Sequence, residues 1–220
     1  MLQEQCLWSV TAPKIHPYDE LRSDTQTSVC IIGGGYTGLS AAIHLAEKGV
    51  KVTLLESQSI GSGGSGKSVG LVNAGTWARP DNLNIALGEV EGERLTEALG
   101  HAPSLVFDLI SRYGIDAQAT QNGNIHMAHN AKGEADVDIR YEQLQRRGVN
   151  VEVLTGSRCH EYCGTTSINK ALLDHRTGTL NPLAYVNGLA KVATELGVTI
   201  YEHSTVNTLE KSDGEWYVRT

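Results

Sequence analysis

The 220-residue sequence predicts an α/β fold that starts from an early βαβ unit and carries an inserted α+β segment. Three observations carry that prediction. Ser28-Val29-Cys30-Ile31-Ile32 is a short apolar run ending on three glycines, the pattern of a strand buried on both faces. In the GGGYTGLSAAIHLAEKG that follows, Leu39, Ala42, Ile43 and Ala46 fall at helical spacing, and Gly49 is placed to end the helix in a left-handed conformation. Val52-Thr53-Leu54-Leu55 then makes a second strand that closes on Glu56. Strand, glycine turn, helix, strand and acid follow one another within about 30 residues, the length of a βαβ unit.

The remaining elements can be taken in order. Residues 1–27 are polar, contain Pro13 and Pro17 and show no sustained periodicity, so they read as an arm laid over the surface. Residues 61–75 hold six glycines and no helical periodicity. Residues 81–99 and 103–113 read as two helices broken by Gly100 and Pro103, the second with Leu105, Val106, Leu109 and Ile110 on one face. From Gly114 the character changes: QNGNIHMAHN combines a turn signal with short alternation, GEADVDIRYEQLQRRG is a polar helix ended by Gly148, and VEVL and ALLD are short strands. Asn181-Pro182 opens another helix, with Pro182 at the N1 position. VTIYE is a strand, and Ser212-Asp213-Gly214 turns a hairpin. The chain stops inside the second hairpin strand, which leads us to expect the front part of a longer protein.

Composition excludes several classes of function. With 40% hydrophobic residues the chain can bury a core; with net charge −7, pI about 5.6 and no basic run, it is not built to track a nucleic-acid backbone. No apolar run approaches the ~18 residues that span a bilayer. The start, MLQEQCLWSV, has no basic leader, so the expected compartment is the cytoplasm. Among Cys6, Cys30, Cys159 and Cys163, only the CHEYC pair around His160 is close in sequence, and no second pair follows at a metal-finger spacing. Reduced thiols and no metal site are expected.

Two glycine motifs compete for a phosphate. Gly33-x-Gly35-x-x-Gly38 lies between strand and helix, where the glycines allow a tight turn, close approach of the backbone to a pyrophosphate, and close helix packing. The helix N-terminus then directs free N–H groups at the anion. Glu56, 18 residues after Gly38, is placed to accept from a ribose diol. The second motif, GSGGSGKS at residues 61–68, matches the phosphate loop of nucleotide hydrolases letter for letter. That loop needs a strand running into its first glycine and a helix starting at its Lys-Ser. Here the strand ends at Leu55 or Glu56, and VGLVNAGTWARP opposes a helix. Its other requirement, a strand ending in a magnesium-binding Asp, could be met only by Leu105-Val106-Phe107-Asp108, which lies in a helical pattern. The hydrolase reading is therefore the lesser one.

SVCIIGGGYTGLSAAIHLAEKGVKVTLLE, IGSGGSGKSVG and LLDHRTGTLNPLAYVNGLAKVATELGVTIYEHSTV together resemble the D-amino-acid oxidase/DadA superfamily of FAD-dependent oxidoreductases, over nearly the whole chain. The resemblance implies FAD as the dinucleotide and a Rossmann-like FAD-binding domain. It implies that Gly33, Gly35 and Gly38, with the intervening Tyr36 and Thr37, hold the pyrophosphate, and Glu56 the adenosine ribose. Ser65, Gly66, Lys67, Ser68 and Gly70 would pass along the ribityl chain and isoalloxazine edge. Lys67 and Ser68 stand where the family often has Arg and Asn, and Lys lacks the planar fork of Arg. Val206 matches the position whose backbone brackets the adenine. The implied division is an arm at 1–27, the FAD-binding domain at 28–113 and 176–220, and part of a substrate domain at 114–175.

The activity implied is oxidation of the C–N bond of an amine or D-amino acid, by hydride transfer to the flavin, with oxygen or an electron-transfer partner as final acceptor. A 2-hydroxy acid is the alternative substrate on the same scaffold. The residues assign no catalytic side chain. His126 and His129 are read as alternating on a strand of the substrate region, and His160 and His175 are no better placed.

Overall fold

The computed structural model describes residues 6–220, so residues 1–5 of the expected arm lie outside the described residues. In chain order the elements are α1 (Leu7–Thr11), β1 (Val29–Ile32), α2 (Tyr36–Ala46), β2 (Val52–Leu55), β3 (Leu71–Val72), α3 (Pro80–Leu87), α4 (Glu89–Tyr113), β4 (Asn124–Met127), α5 (Ala131–Arg146), β5 (Val151–Thr155), α6 (Gly156–Cys163), β6 (Lys170–Asp174), β7 (Gly178–Thr179), α7 (Pro182–Glu195), β8 (Thr199–Tyr201), β9 (Thr208–Ser212) and β10 (Glu215–Arg219). They form two compact units. The first comprises residues up to 70, 110–118 and 181–220, and the second comprises 71–109 and 119–180. Residues 71–109 thus cluster with the second unit, whereas the sequence reading groups them with 28–113.

The first unit is a parallel sheet in the order β1-β2-β8, with Val29 opposite Val52 and Leu54 opposite Ile200. All four residues of β2 are buried, as a central parallel strand requires. Helix α2 buries Leu39, Ala42 and Ile43 and packs on α7, which buries most of its own length. Strand β1 departs from the expected double burial. It pairs with β2 alone among the described residues, and Ile32 is 54% exposed. The helix at Asn181-Pro182 forms as its signals require, because Asn181 Oδ1 accepts from the Ala184 N–H at 3.1 Å and Pro182 occupies the first turn. The β9–β10 hairpin turns at Asp213 and Gly214, both at positive φ.

The second unit holds an antiparallel sheet in the order β4-β6-β5, covered by α5 and α6, and a short β3–β7 pair. Val137 of α5 meets Ala128, Val151 and Leu172, while Cys159 of α6 packs with Leu154, Ala171 and Leu173. The expected break at Gly100 and Pro103 does not occur. The chain breaks instead at Gly88, φ +84°, and α4 runs unbroken through Pro103. A proline leaves the carbonyl four residues earlier without its helical donor. Here that carbonyl belongs to Leu99, and the Gly75 N–H donates to it at 3.1 Å. The tertiary bond removes part of the penalty that the sequence alone assigns to Pro103.

Candidate functional site

The glycine turn after β1 is built by bonds that cross to β2. The Gly33 N–H donates to Leu55 O at 2.8 Å, and φ of +101° at Gly33 directs the chain into α2. A Cβ on Gly38 would overlap the carbonyl oxygen of Gly33, so helix and turn approach as only glycine permits. The first bond inside α2 runs from the Leu39 N–H to Gly35 O, which leaves the N–H groups of Tyr36, Thr37 and Gly38 ahead of the helical ladder. The Tyr36 N–H is met by Ser65 Oγ at 3.2 Å. The second glycine segment is thereby brought to the N-terminus of the first motif's helix.

Glu56 sits at the same mouth. Its Oε2 accepts from the Gly34 N–H at 2.8 Å, and its Oε1 accepts from the Gln58 N–H at 2.9 Å and from Ser57 Oγ at 3.1 Å. A cavity of about 170 Å³ is enclosed by Gly34, Gly35, Glu56 and residues 57–58 and 61–65. Beside it, the Ser204 N–H donates to Glu56 O and the His203 N–H to Gln58 O, which carries the chain past Glu56 into the half-buried Val206.

The segment at 61–68 is not a hydrolase phosphate loop. Residues Gly64–Lys67 form a single 3-10 turn, Ser68 is extended, and β3 follows where a helix would have to start. Its glycines serve close approach: Gly61, φ +75°, lies against Leu183 and Val186 of α7, and a Cβ on Gly66 would overlap Gly61 O. The would-be magnesium strand at 105–108 lies within α4.

The predicted site residues thus divide. Gly33, Gly35, Gly38, Glu56 and Ser65 converge, and Gly66 and Gly70 shape the adjoining loop, with Gly70 buried at φ +80°. Thr37 and Lys67 are exposed. The Tyr36 ring packs on Tyr185 with centroids 5.4 Å apart and its hydroxyl donates to Pro182 O, so the side chain is a packing group whose hydroxyl burial pushes to a higher pKa. Sequence reading missed Glu202. Its carboxylate is 2% exposed and accepts from the Ile60 N–H at 2.6 Å and the Tyr18 N–H at 2.9 Å, holding the loop that leads into Gly61. An acid following a short strand carries no signal of such partners.

The histidines gain no catalytic geometry. His126 is half-buried in β4 near the Trp77 ring, where burial, then the Arg140 charge, pushes its pKa down. His129 lies beyond the end of β4, so the expected alternation with His126 fails. His160 bonds Asn169, and His175 is exposed. CHEYC forms α6, where the Cys159 and Cys163 sulfurs lie 3.7 Å apart and burial pushes the Cys159 thiol up to about 11. Among the described residues no three His, Cys, Asp or Glu side chains group to hold a metal, and no helix is long and apolar enough to cross a membrane. A wider open groove of about 670 Å³ between α3 and α5 is lined by Asp81, Gln143 and Arg146. Its Asp81 is already paired with Arg146 and Arg147.

Comparison with known proteins identifies the family. Residues 28–220 match the family described as DAO, FAD dependent oxidoreductase. The chain is 32% identical over 206 residues to gamma-glutamylputrescine oxidoreductase of Escherichia coli, covering 92% of this chain and 48% of that protein. It is 24% identical over 193 residues to glycine oxidase of Geobacillus kaustophilus, covering 86% of this chain and 49% of that protein. Among solved structures, L-amino acid deaminase from Proteus myxofaciens superposes with a TM-score of 0.77 at 20% identity, over 94% of this chain and 44% of that one. The chain spans about half the length of the relatives it matches.

Proposed function

The chain belongs to the DAO family of FAD-dependent oxidoreductases, whose cofactor is FAD, and on that premise we propose that it forms the cofactor-binding part of an enzyme oxidising the C–N bond of an amine or amino acid. The observation that carries this reading is the shared cavity, in which Gly34 and Gly35 of the glycine turn, Glu56 and Ser65 meet at one helix N-terminus. The residues present fit FAD. The turn and loop are held at separations that a Cβ on Gly38 or Gly66 would abolish, and the donors at the start of α2 have no helical acceptors.

Each residue then has a role. The N–H groups of Tyr36, Thr37 and Gly38 and the positive end of α2 hold the pyrophosphate. Ser65 keeps accepting from Tyr36 while its own hydroxyl hydrogen remains able to donate to a phosphate oxygen. Glu56 accepts from the adenosine ribose diol, its orientation set by the Gly34 and Gln58 amides. The backbone at Val206 flanks the adenine. Residues 65–70 lie along the ribityl chain and ring edge, with Lys67 supplying a point charge in place of a guanidinium fork. When bound, FAD supplies the hydride acceptor, which the side chains of this sequence do not contain. The first unit is assigned to the cofactor and the second to the substrate side.

The amine assignment rests on relatives whose names specify compounds with an amine nitrogen: gamma-glutamylputrescine, glycine and, in the beta subunit of sarcosine oxidase of Rhizobium meliloti, sarcosine. The test is anaerobic bleaching of the flavin absorption of the purified protein by amines, D-amino acids and 2-hydroxy acids. Bleaching by a compound bearing an amine is expected; bleaching confined to hydroxy acids would replace the reading with C–OH oxidation. Admitting oxygen or an artificial acceptor afterwards identifies what reoxidises the flavin.

A further inference from the structure

The N-terminal arm touches both ends of the proposed FAD site within the first unit. At one end, the Tyr18 N–H donates to Glu202 Oε2 and the Leu21 N–H to Ser204 Oγ, both at 2.9 Å, while Asp19 O accepts from the Glu202 N–H. Glu202 is the carboxylate that also holds Ile60, and Ser204 is bonded through its backbone to Glu56. At the other end, the chain folds into α1, which packs on α7. Asn181 Nδ2 and Gln118 Nε2 fasten α1 by donating to Thr11 Oγ1 and Thr11 O, at 3.0 and 2.9 Å. From there the Trp8 indole N–H donates to the Ser68 carbonyl at 2.9 Å, across 60 residues of sequence.

We propose that Trp8 is a positioning residue for FAD and that the arm is a strap fixing the loop that follows residues 61–66. The physical argument begins with the Ser68–Val69 peptide. A trans peptide directs its C=O and N–H in opposite directions, so a donor fixed on the Ser68 oxygen fixes the line along which the Val69 N–H points. Val69 itself is exposed, so its side chain does not set that direction. The indole supplies it from an arm anchored by five further backbone or side-chain bonds, two of them on α1. Trp8 touches no reacting atom; it acts through Ser68.

The inference rests on the reading that residues 61–70 lie against FAD, and the test separates the two. FAD is titrated into the apoprotein of the wild type, Trp8→Phe and Gly64→Val, and the apoprotein Tm is recorded for each. Trp8→Phe keeps an aromatic ring and removes the donor; Gly64→Val adds bulk to the cavity wall at a position with nothing within 4 Å of its Cβ. We expect Trp8→Phe to raise the FAD Kd by about 3- to 10-fold, the worth of one net hydrogen bond, and to lower the apoprotein Tm by no more than about 5 °C. An unchanged Kd in Trp8→Phe while Gly64→Val weakens FAD overturns the strap, as does a fall in Tm without a change in Kd. An unchanged Kd in Gly64→Val removes the loop from the cofactor and overturns the underlying reading instead.

Discussion

At the scale of single residues, the site depends on atoms that are missing as much as on those present. Gly38 shows this most directly, because its hydrogen faces the Gly33 carbonyl where any Cβ would collide. Gly38→Ala is expected to lower apoprotein stability by about 1–3 kcal/mol through overpacking, and to weaken FAD retention on gel filtration. Gly64→Ala, in open space with ordinary backbone, is the control and should change stability by less than about 0.5 kcal/mol. Equal melting of the two variants would show that the turn relaxes around a methyl group. The tight turn at Gly33 and the close packing at Gly38 were legible in the sequence because glycine is the one residue whose absence of a side chain is itself the signal. Glu202 was illegible for the converse reason: a carboxylate fully enclosed by backbone amides from residues 18 and 60 looks, in one dimension, like any surface acid.

At the scale of elements, helix ends decide where the loops stand. Asn181 caps α7 and, from the other end of its amide, holds Thr11 and Gln118. Asn181 itself is 2% exposed, and its cap bond to Ala184 is buried, while Thr11 and Gln118 are exposed. Asn181→Ala removes the buried cap and two part-buried bonds to the arm and Gln118, which predicts a loss of about 1–3 kcal/mol by denaturant unfolding. Asn181→Asp should retain the cap but not the two donors, and fall between. A loss below that of an exposed cap would mean that the arm is not fastened through this side chain. Local rules predicted this helix correctly, with its Asn-Pro start, and failed at Pro103. There the penalty belongs to an unpaired Leu99 carbonyl, and a loop residue distant in sequence, Gly75, pairs it. The failure at β1 is of the same kind, since an apolar run specifies a strand but not how many neighbours it has.

At the scale of the whole molecule, both units carry a glutamate whose carboxyl is held well below its ordinary value. In the first, hydrogen bonds from Tyr113 and His44, then the Arg112 charge, hold Glu47 at about 2; in the second, Arg147 and Asn84 hold Glu93 at about 2. A folded-state pKa depressed below the unfolded value of about 4.3 gives stability that is complete above that value and is lost as pH falls towards the folded one. The Tm should therefore hold from neutral pH to about 4.5 and fall between there and about 2, and Glu47→Gln and Glu93→Gln should each reduce the fall. Both carboxylates reach solvent, so added salt should shrink the effect; a pH profile identical in the two variants and the wild type would exclude these pairs as its source. The sequence by itself determined the βαβ unit, the fingerprint glycines, the acid at the end of β2 and the family, because each is written in neighbouring residues as periodicity, spacing or a missing side chain. Only the tertiary structure decided that GSGGSGKS closes over the helix of the first motif, that Glu202 holds Ile60 and Trp8 bonds Ser68, and that α4 survives its proline. Those outcomes depend on which groups from remote segments find one another, and hydrogen-bond pairing between segments far apart in sequence leaves no periodic trace.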